Sequence, residues 1–134
     1  MLHLTGYGAA AAIGGVPDSG LLSMTEMAGA CARMVEAAER PLIADIDNGY
    51  GNALNIRRTI RAFEQAGAAG IHSEDQVHPK RCGHMSGKQL VSSAELVAKV
   101  KAACDARRDD AFVIVARTDA RGVEGLEALQ RVTR

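Results

Sequence analysis

Three short apolar runs, each ending in polar or charged residues, limit what this chain can fold into more than any other feature. They are "PLIADID" (Pro41 to Asp47), "AAGIHSED" with its core at Ala69 to Ser73, and "AFVIVARTD" with its apolar part at Ala111 to Arg117. Continuous apolar runs of this length suit strands buried on both faces, as in a parallel sheet. Helical patterns separate them. Thr25 to Ala38 places Met27, Cys31, Met34, Val35 and Ala38 on one face, and Asn52 to Ala66 does so with Ala53, Ile56, Ile60 and Phe63. Gly67 then sits where a left-handed stop belongs. Ser92-Ser93-Ala94-Glu95 has the form of a capping box, and the helix after it has Leu96, Val97, Val100 and Cys104 as its expected apolar face. A last helix is expected from near Val123, and Leu2 to Thr5 reads as the end of one earlier strand. The alternation βαβαβα predicts an α/β fold with a parallel sheet, in one domain over residues 1–134.

Composition removes several classes of function. Sixteen basic and sixteen acidic residues give no net charge, and the aromatics are only Tyr7, Tyr50, Phe63 and Phe112. Without a basic stripe interleaved with aromatics, no nucleic-acid partner is expected. No apolar stretch approaches a membrane span, so no membrane association is expected either. Three cysteines, Cys31, Cys82 and Cys104, lack a disulfide-framework spacing, which points to a reduced, cytoplasmic setting.

The signal for function lies after each strand. Asp45 and Asp47 close the first run, Glu74 and Asp75 the second, Arg117 and Asp119 the third. Side chains from successive parallel strands converge at their carboxyl ends, where α/β folds place their ligand sites. In Asp45-Ile46-Asp47, period-2 geometry would point both carboxylates to one face, where a cation such as Mg²⁺ would relieve their repulsion. The alternative is a simple loop or helix cap, and Glu74 on the next strand favours the metal. Cys82 lies in "KRCGH", whose cations favour a thiolate, and Gly83 would let a ligand approach the backbone. Cys31 and Cys104 lie on apolar helix faces and read as core. A zinc site from His72, His78, Cys82 and His84 matches no familiar spacing, and His72 reads better as a hydrogen-bonded core histidine. Arg117, at the end of an apolar strand, suits a bidentate carboxylate or phosphate better than an internal pair with Asp119 or Glu74. "LTGYGAA" reads as a glycine-bearing loop whose N–H groups could hold an oxyanion.

With these residues in view, the chain resembles the isocitrate lyase and phosphoenolpyruvate mutase superfamily. The matching stretches are "TGYGAA", "GVPDSGLLSMTEM", "PLIADIDNGYGNALNIRRT", "AGAAGIHSEDQVHPKRCGH", "GKQLVSSAELVAKVKAA" and "FVIVARTDAR". "KRCGH" preceded by "ED" is similar to the lyase branch, 2-methylisocitrate lyases above all, although carboxyphosphonoenolpyruvate phosphonomutase-like and dimethylmalate lyase-like proteins keep that cysteine too. Ser73 and Asn48 depart from the usual residues at their positions. The resemblance implies a (β/α)₈ barrel, a tetramer, and Mg²⁺ (or Mn²⁺) at the mouth. It implies that Asp45, Asp47, Asp18 and Glu74 form the metal shell. Cys82 matches the catalytic cysteine, and Lys80, Gly83, His84 and Arg117 match substrate-contacting positions. Thr5, Gly6 and Tyr7 match the loop holding the α-keto acid end.

The implied reaction is carbon–carbon cleavage of a 2-hydroxy tricarboxylate such as 2-methylisocitrate, with Tyr7 as candidate base, Cys82 as proton donor and His84 among the groups stabilising negative charge. A full barrel of this type needs about 250 residues, whereas this chain holds only about strands 2–5 with their helices. The expectation is therefore an incomplete barrel, inactive alone, with raw sheet edges that drive self-association. A non-catalytic remnant that only binds ligand or associates is the alternative from another class.

Overall fold

A computed structural model describes residues 1–125 and Ala128. Four strands, β1 (Leu2–Leu4), β2 (Leu42–Asp45), β3 (Gly70–Glu74) and β4 (Val113–Arg117), form one parallel sheet in chain order. A short helix α1 (Gly6–Ala9), which runs on into a π-helical turn (Ala10–Gly14), follows β1, and α2 (Met24–Ala38) leads to β2. Helices α3 (Ala53–Gln65) and α4 (Ser93–Ala106) cross between the later strands, and α5 (Ala120–Glu124) follows β4. Each sheet neighbour is the next strand in sequence, which is the order of a (β/α) barrel arc.

Local chemistry explains the boundaries. Ser23 Oγ accepts from Glu26 N–H at 3.3 Å while Glu26 Oε2 accepts from Ser23 N–H at 2.7 Å, so α2 opens on a full capping box that starts the helix one residue before the expected Thr25. Asn52 Oδ1 accepts from Leu54 and Asn55 N–H to cap α3. Gly67 takes φ +82°, the left-handed stop expected of it. At α4 only half of the expected box forms: Ser92 Oγ accepts from Glu95 N–H, but Glu95 turns to Lys99 at 3.3 Å.

The core lies between the helices and one face of the sheet. Leu4, Leu42, Ala44 and Ile71 meet Met27, Cys31, Ile56, Ile60, Phe63 and Ala103 there. Two expectations fail. On α4, Val97 is 44% exposed and Cys104 is exposed, while Leu96, Lys99, Ala102, Ala103 and Ala106 are buried. The helix buries Leu96 as expected, but beyond it the small residues Ala102, Ala103 and Ala106, which permit close approach, take the place expected of Val97 and Cys104. Strand β4 is not buried on both faces either. Its inward-facing Val113 and Val115 are 48% and 42% exposed, because none of the described residues covers the inner face of the arc there. The last helix begins at Ala120, before Val123, and its expected run to the end falls largely outside the described residues.

Candidate active site

An open cleft of about 650 Å³ lies at the carboxyl ends of the strands. Thr5, Tyr7, Asp18, Asp45, Glu74, Lys80, Cys82, Gly83, His84 and Arg117 line it, joined by His3 and His72. Gly6 and Asp47 stand directly behind it, around a small void shared with Asp18. Every site residue named from the sequence is therefore brought to one place.

Three carboxylates meet at Gly6. A Cβ on Gly6 would lie 3.1 Å from Asp45 Oδ2, 3.2 Å from Asp18 Oδ1 and 3.3 Å from Asp47 Oδ1, so a side chain there would crowd all three acids. The convergence does not come from strand pleating, as the sequence suggested. Strand β2 ends at Asp45, and Asp47 sits in a left-handed turn (φ +48°) whose N–H donates to Asp45 Oδ1 at 2.9 Å. Gly6 N–H donates to Asp45 Oδ2 at 3.1 Å, and Gly8 N–H to Thr5 Oγ1 at 2.9 Å. The expected oxyanion loop is thus a helical turn with two of its N–H groups already engaged.

Lys80 supplies the balancing charge. Its Nζ bonds Asp18 Oδ1 and lies 2.9 Å from Asp47 Oδ1. Burial alone would depress its pKa, but these partners outweigh burial and hold the ammonium above the usual lysine range. Burial, with the charge of Asp45 adding to it, keeps Asp47 above the ordinary carboxylate value in spite of Lys80. Glu74 is pushed up to about 7, chiefly by burial and in part against the opposing charge of Arg117. Its Oε1 is buried without a partner, while Oε2 lies 3.3 Å from Arg117 Nη1.

These donors are hard oxygens in excess of the cations beside them, and one is unpartnered, so the set fits a Mg²⁺ or Mn²⁺ ion. Among the described residues, no three such side chains stand ready around an ion as they are. A divalent cation would have to displace the Lys80 ammonium from Asp18 and Asp47. The zinc alternative gains nothing: His78 lies in a separate groove with Pro79 and Met85.

Arg117, read from the sequence as a ligand fork, makes internal pairs instead, with Glu74 and with Asp119 at 3.1 Å. It still faces the cleft at 37% exposure. A Cβ on Gly83 would lie 2.5 Å from Arg117 Nη2, so a side chain there would displace the guanidinium tip. Tyr7 is 67% exposed, His84 is exposed and Cys82 is half-buried. His72 bonds His3, Nε2 to Nε2 at 2.7 Å, and burial lowers its pKa, partly offset by Asp45. The expected hydrogen-bonded histidine is there, but its partner faces the cleft with it.

Sequence reasoning missed the residues that hold the site. Asp75 accepts from Thr118 Oγ1 at 2.5 Å and from Asp119 N–H at 2.9 Å. Gln76, fully buried, donates to Arg81 O and Asp119 Oδ2 and accepts from Arg81 N–H, each at 2.9 Å. Lys88 donates to Gly83 O at 2.7 Å, and Lys99 reaches Asn48 O at 3.4 Å from α4. The stretch "EDQ" thus sends one residue to the cleft and two to pin the loops beside it.

The burial pattern also corrects the ranking of the thiols. Cys31 is fully buried and pushed up to about 11, whereas Cys104 is exposed and Cys82 half-buried. Brief iodoacetamide treatment should label Cys82 and Cys104 and spare Cys31 until the protein unfolds, as read by peptide mass mapping. Labelling of Cys31 at the rate of the other two would contradict this placement of α2.

A parallel arc whose strand ends gather acids, a bridging lysine, an arginine and a thiol in one cleft has the layout of the carboxyl-end face of a (β/α) barrel. The chain belongs to the phosphoenolpyruvate phosphomutase family, whose sequence model matches residues 1–134. It is 54% identical over 131 residues to 2,3-dimethylmalate lyase of Eubacterium barkeri, covering 97% of this chain and 45% of that one. With 2-methylisocitrate lyase of Shewanella oneidensis it shares 53% over 127 residues, covering 95% and 44%. A crystal structure of 2,3-dimethylmalate lyase superposes with TM-score 0.93 at 36% identity, over 98% of this chain and 45% of that one. A phosphonopyruvate hydrolase solved with oxalate and Mg²⁺ superposes with TM-score 0.84 at 35% identity, over 98% and 46%. The chain therefore spans less than half the length of these relatives. The fold is part of a (β/α)₈ barrel, and among the described residues no helix is long and apolar enough to cross a membrane.

Proposed function

We propose that this chain is the metal- and substrate-binding part of a carbon–carbon lyase that cleaves a 2-hydroxy tricarboxylate, such as 2-methylisocitrate, to an α-keto acid and succinate. The observation that carries the reading is the presence of Cys82 in one cleft with four clustered acids, Lys80 and Arg117. The names of the lyase relatives support it.

When bound, Mg²⁺ held by Asp45, Asp47, Asp18 and Glu74 would supply Lewis-acid polarisation of the substrate's hydroxyl and carboxylate. Arg117 and Lys80 bind substrate carboxylates as charge-assisted donors. Tyr7, with its ring exposed at the cleft, takes the proton from the C2 hydroxyl as the phenolate and is left as the phenol. The C2–C3 bond then breaks, C2 becomes the keto carbon, and the bonding pair passes to C3 and its neighbouring carboxylate. Cys82 donates its proton to that carbon, and His84 with the adjacent cations stabilises the charge until it does. For 2-methylisocitrate the products are pyruvate and succinate, and the atoms balance. Phosphonomutase chemistry on an enolpyruvate is the competing enzymatic reading, and a profile of substrates separates the two.

The test is calorimetric titration of Mg²⁺ in the presence of oxalate, comparing the chain with its Asp45→Ala, Asp47→Ala double variant. Binding is expected for the chain and at least tenfold weaker binding for the variant, which corresponds to about 1.4 kcal/mol or more. Equal binding by the two would remove the metal assignment and the reading with it.

A further inference from the structure

The turn that aims Asp47 is strained, and side chains from three elements hold it. Asp47 (φ +48°), Gly49 (+85°), Tyr50 (+60°) and Gly51 (+141°) all have positive φ. An aspartate and a tyrosine stay in that region only where their surroundings fix them. From Ile46 to Gly49 each carbonyl accepts a hydrogen bond. Ile46 O accepts from Gly49 N–H at 2.8 Å, and Asp47 O accepts from Glu74 N–H at 2.8 Å and Ser73 Oγ at 3.1 Å. Asn48 O accepts from Lys99 Nζ at 3.4 Å. Gly49 O accepts from Thr59 Oγ1 at 3.3 Å, a hydroxyl shared with Asn55 O. These side chains come from β3, α4 and α3. Packing does not account for Lys99. The residue is 5% exposed and lies on the α4 face that buries Leu96, Ala102, Ala103 and Ala106, while its ion partner Glu95, 3.3 Å away, is half exposed. A buried ammonium carries a desolvation cost, and an apolar side chain of similar length would fill the space without it. What the ammonium adds is a donor aimed at the carbonyl one residue beyond Asp47. Its effect is on direction, because the charges that act on the Asp47 carboxyl are those of Lys80, Asp45 and Asp18.

We infer that Lys99 is a positioning residue for the cleft. With Ser73 and Thr59 it locks the turn in its left-handed form, keeps the Asp47 carboxylate turned towards Asp45 and Asp18, and so sets the affinity for a divalent cation. Relaxation of the turn to negative φ would swing Asp47 away from the other two acids and from Lys80. The inference deepens the proposed function and rests on its reading of the acids as the shell of a metal ion. Side chains that orient metal ligands without touching the ion change its affinity roughly 10- to 100-fold when replaced.

The test compares the unaltered chain with Lys99→Met, Glu95→Gln and Ser73→Ala. Three quantities are measured: Mn²⁺ affinity in the presence of oxalate, from the paramagnetic resonance of the free ion; urea unfolding in a chelator; and amide hydrogen exchange resolved by residue. Lys99→Met should unfold at no lower urea concentration, yet bind Mn²⁺ roughly 10- to 100-fold more weakly. It should also exchange faster at the Gly49 and Glu74 N–H groups that fasten the turn, with no change at Val113 N–H, which bonds Ala69 O within the sheet. Glu95→Gln removes the ion partner but leaves the donor, and should alter neither affinity nor exchange. Ser73→Ala should weaken Mn²⁺ binding in the same direction as Lys99→Met. If Lys99→Met does not fold, Ser73→Ala decides, and unchanged affinity in it overturns the inference. A folded Lys99→Met with unchanged affinity overturns it, as does an affinity lost only in proportion to lost stability, which would make Lys99 a residue of the fold alone. An unaltered chain that binds no Mn²⁺ removes the metal reading by itself. Exchange then decides the rest: faster rates at Gly49 and Glu74 in Lys99→Met uphold the role of Lys99 in the turn, and unchanged rates overturn it.

Discussion

Replacing Glu74 with glutamine should stabilise the protein at pH 8 by about 3 kcal/mol and leave its stability at pH 4 nearly unchanged. The Glu74 carboxyl titrates near 7 in the folded chain against an ordinary value of 4.5, because it is buried. Its side chain is 3% exposed, so solvent does little to relieve the cost. Between those two values the folded state holds a proton that the unfolded state has released. The stability associated with that proton is complete below about pH 4.5 and is lost as pH rises through about 7. Glutamine stays neutral throughout and has no such slope. Urea unfolding in a chelator at several pH values would measure the difference. Parallel stability curves for the two proteins would mean that Glu74 is not held as described. Mg²⁺ should narrow the gap at pH 8 by favouring the carboxylate that the variant lacks.

Gln76→Ala should cost about 2–4 kcal/mol, a large effect for a residue that touches no substrate. Its side chain makes three bonds of 2.9 Å, two to the backbone of Arg81 and one to Asp119. Truncation leaves a part-buried N–H, a carbonyl and a carboxylate oxygen without that partner, next to Cys82. The same change should speed hydrogen exchange at Arg81 and alkylation at Cys82. Gln76→Glu should fare no better, because a carboxylate keeps the acceptor for Arg81 N–H but turns an oxygen towards Arg81 O and Asp119. A variant with native stability and unchanged Cys82 reactivity would show that the loop is held by something else.

The parts of this molecule that depend on neighbours in sequence were readable from it. Apolar runs and the Gly67 stop fix the elements, and strand order then carries Asp45, Glu74 and Arg117 to one end. The parts that depend on distant partners were not. Nothing local announces that Lys80 will reach Asp18, 62 residues away, or that Gln76 will reach Asp119, 43 away. The turn that aims Asp47 was hidden because its positive φ falls on Asp47 and Tyr50 as well as on glycines. On α4 the apolar pattern placed Leu96 correctly, but packing selected alanines where it pointed to Val97 and Cys104. For Arg117 the residue type suggested a ligand, and proximity supplied Glu74 and Asp119 first.

The apolar core occupies only the helix-facing side of the sheet, and the inward side carries His3, Asp45, His72, Glu74 and Arg117. Folding and chemistry thus draw on alternate residues of the same strands. Substitutions on the inward side remove little of what holds the chain together, and one of its residues, Glu74, opposes folding when charged. Such a scaffold can exchange one reaction for another by single steps without first becoming unstable. That separation gives a physical reason why a lyase and a phosphonopyruvate hydrolase share this backbone so closely, and why new activities in it should be sought at strand positions of one parity.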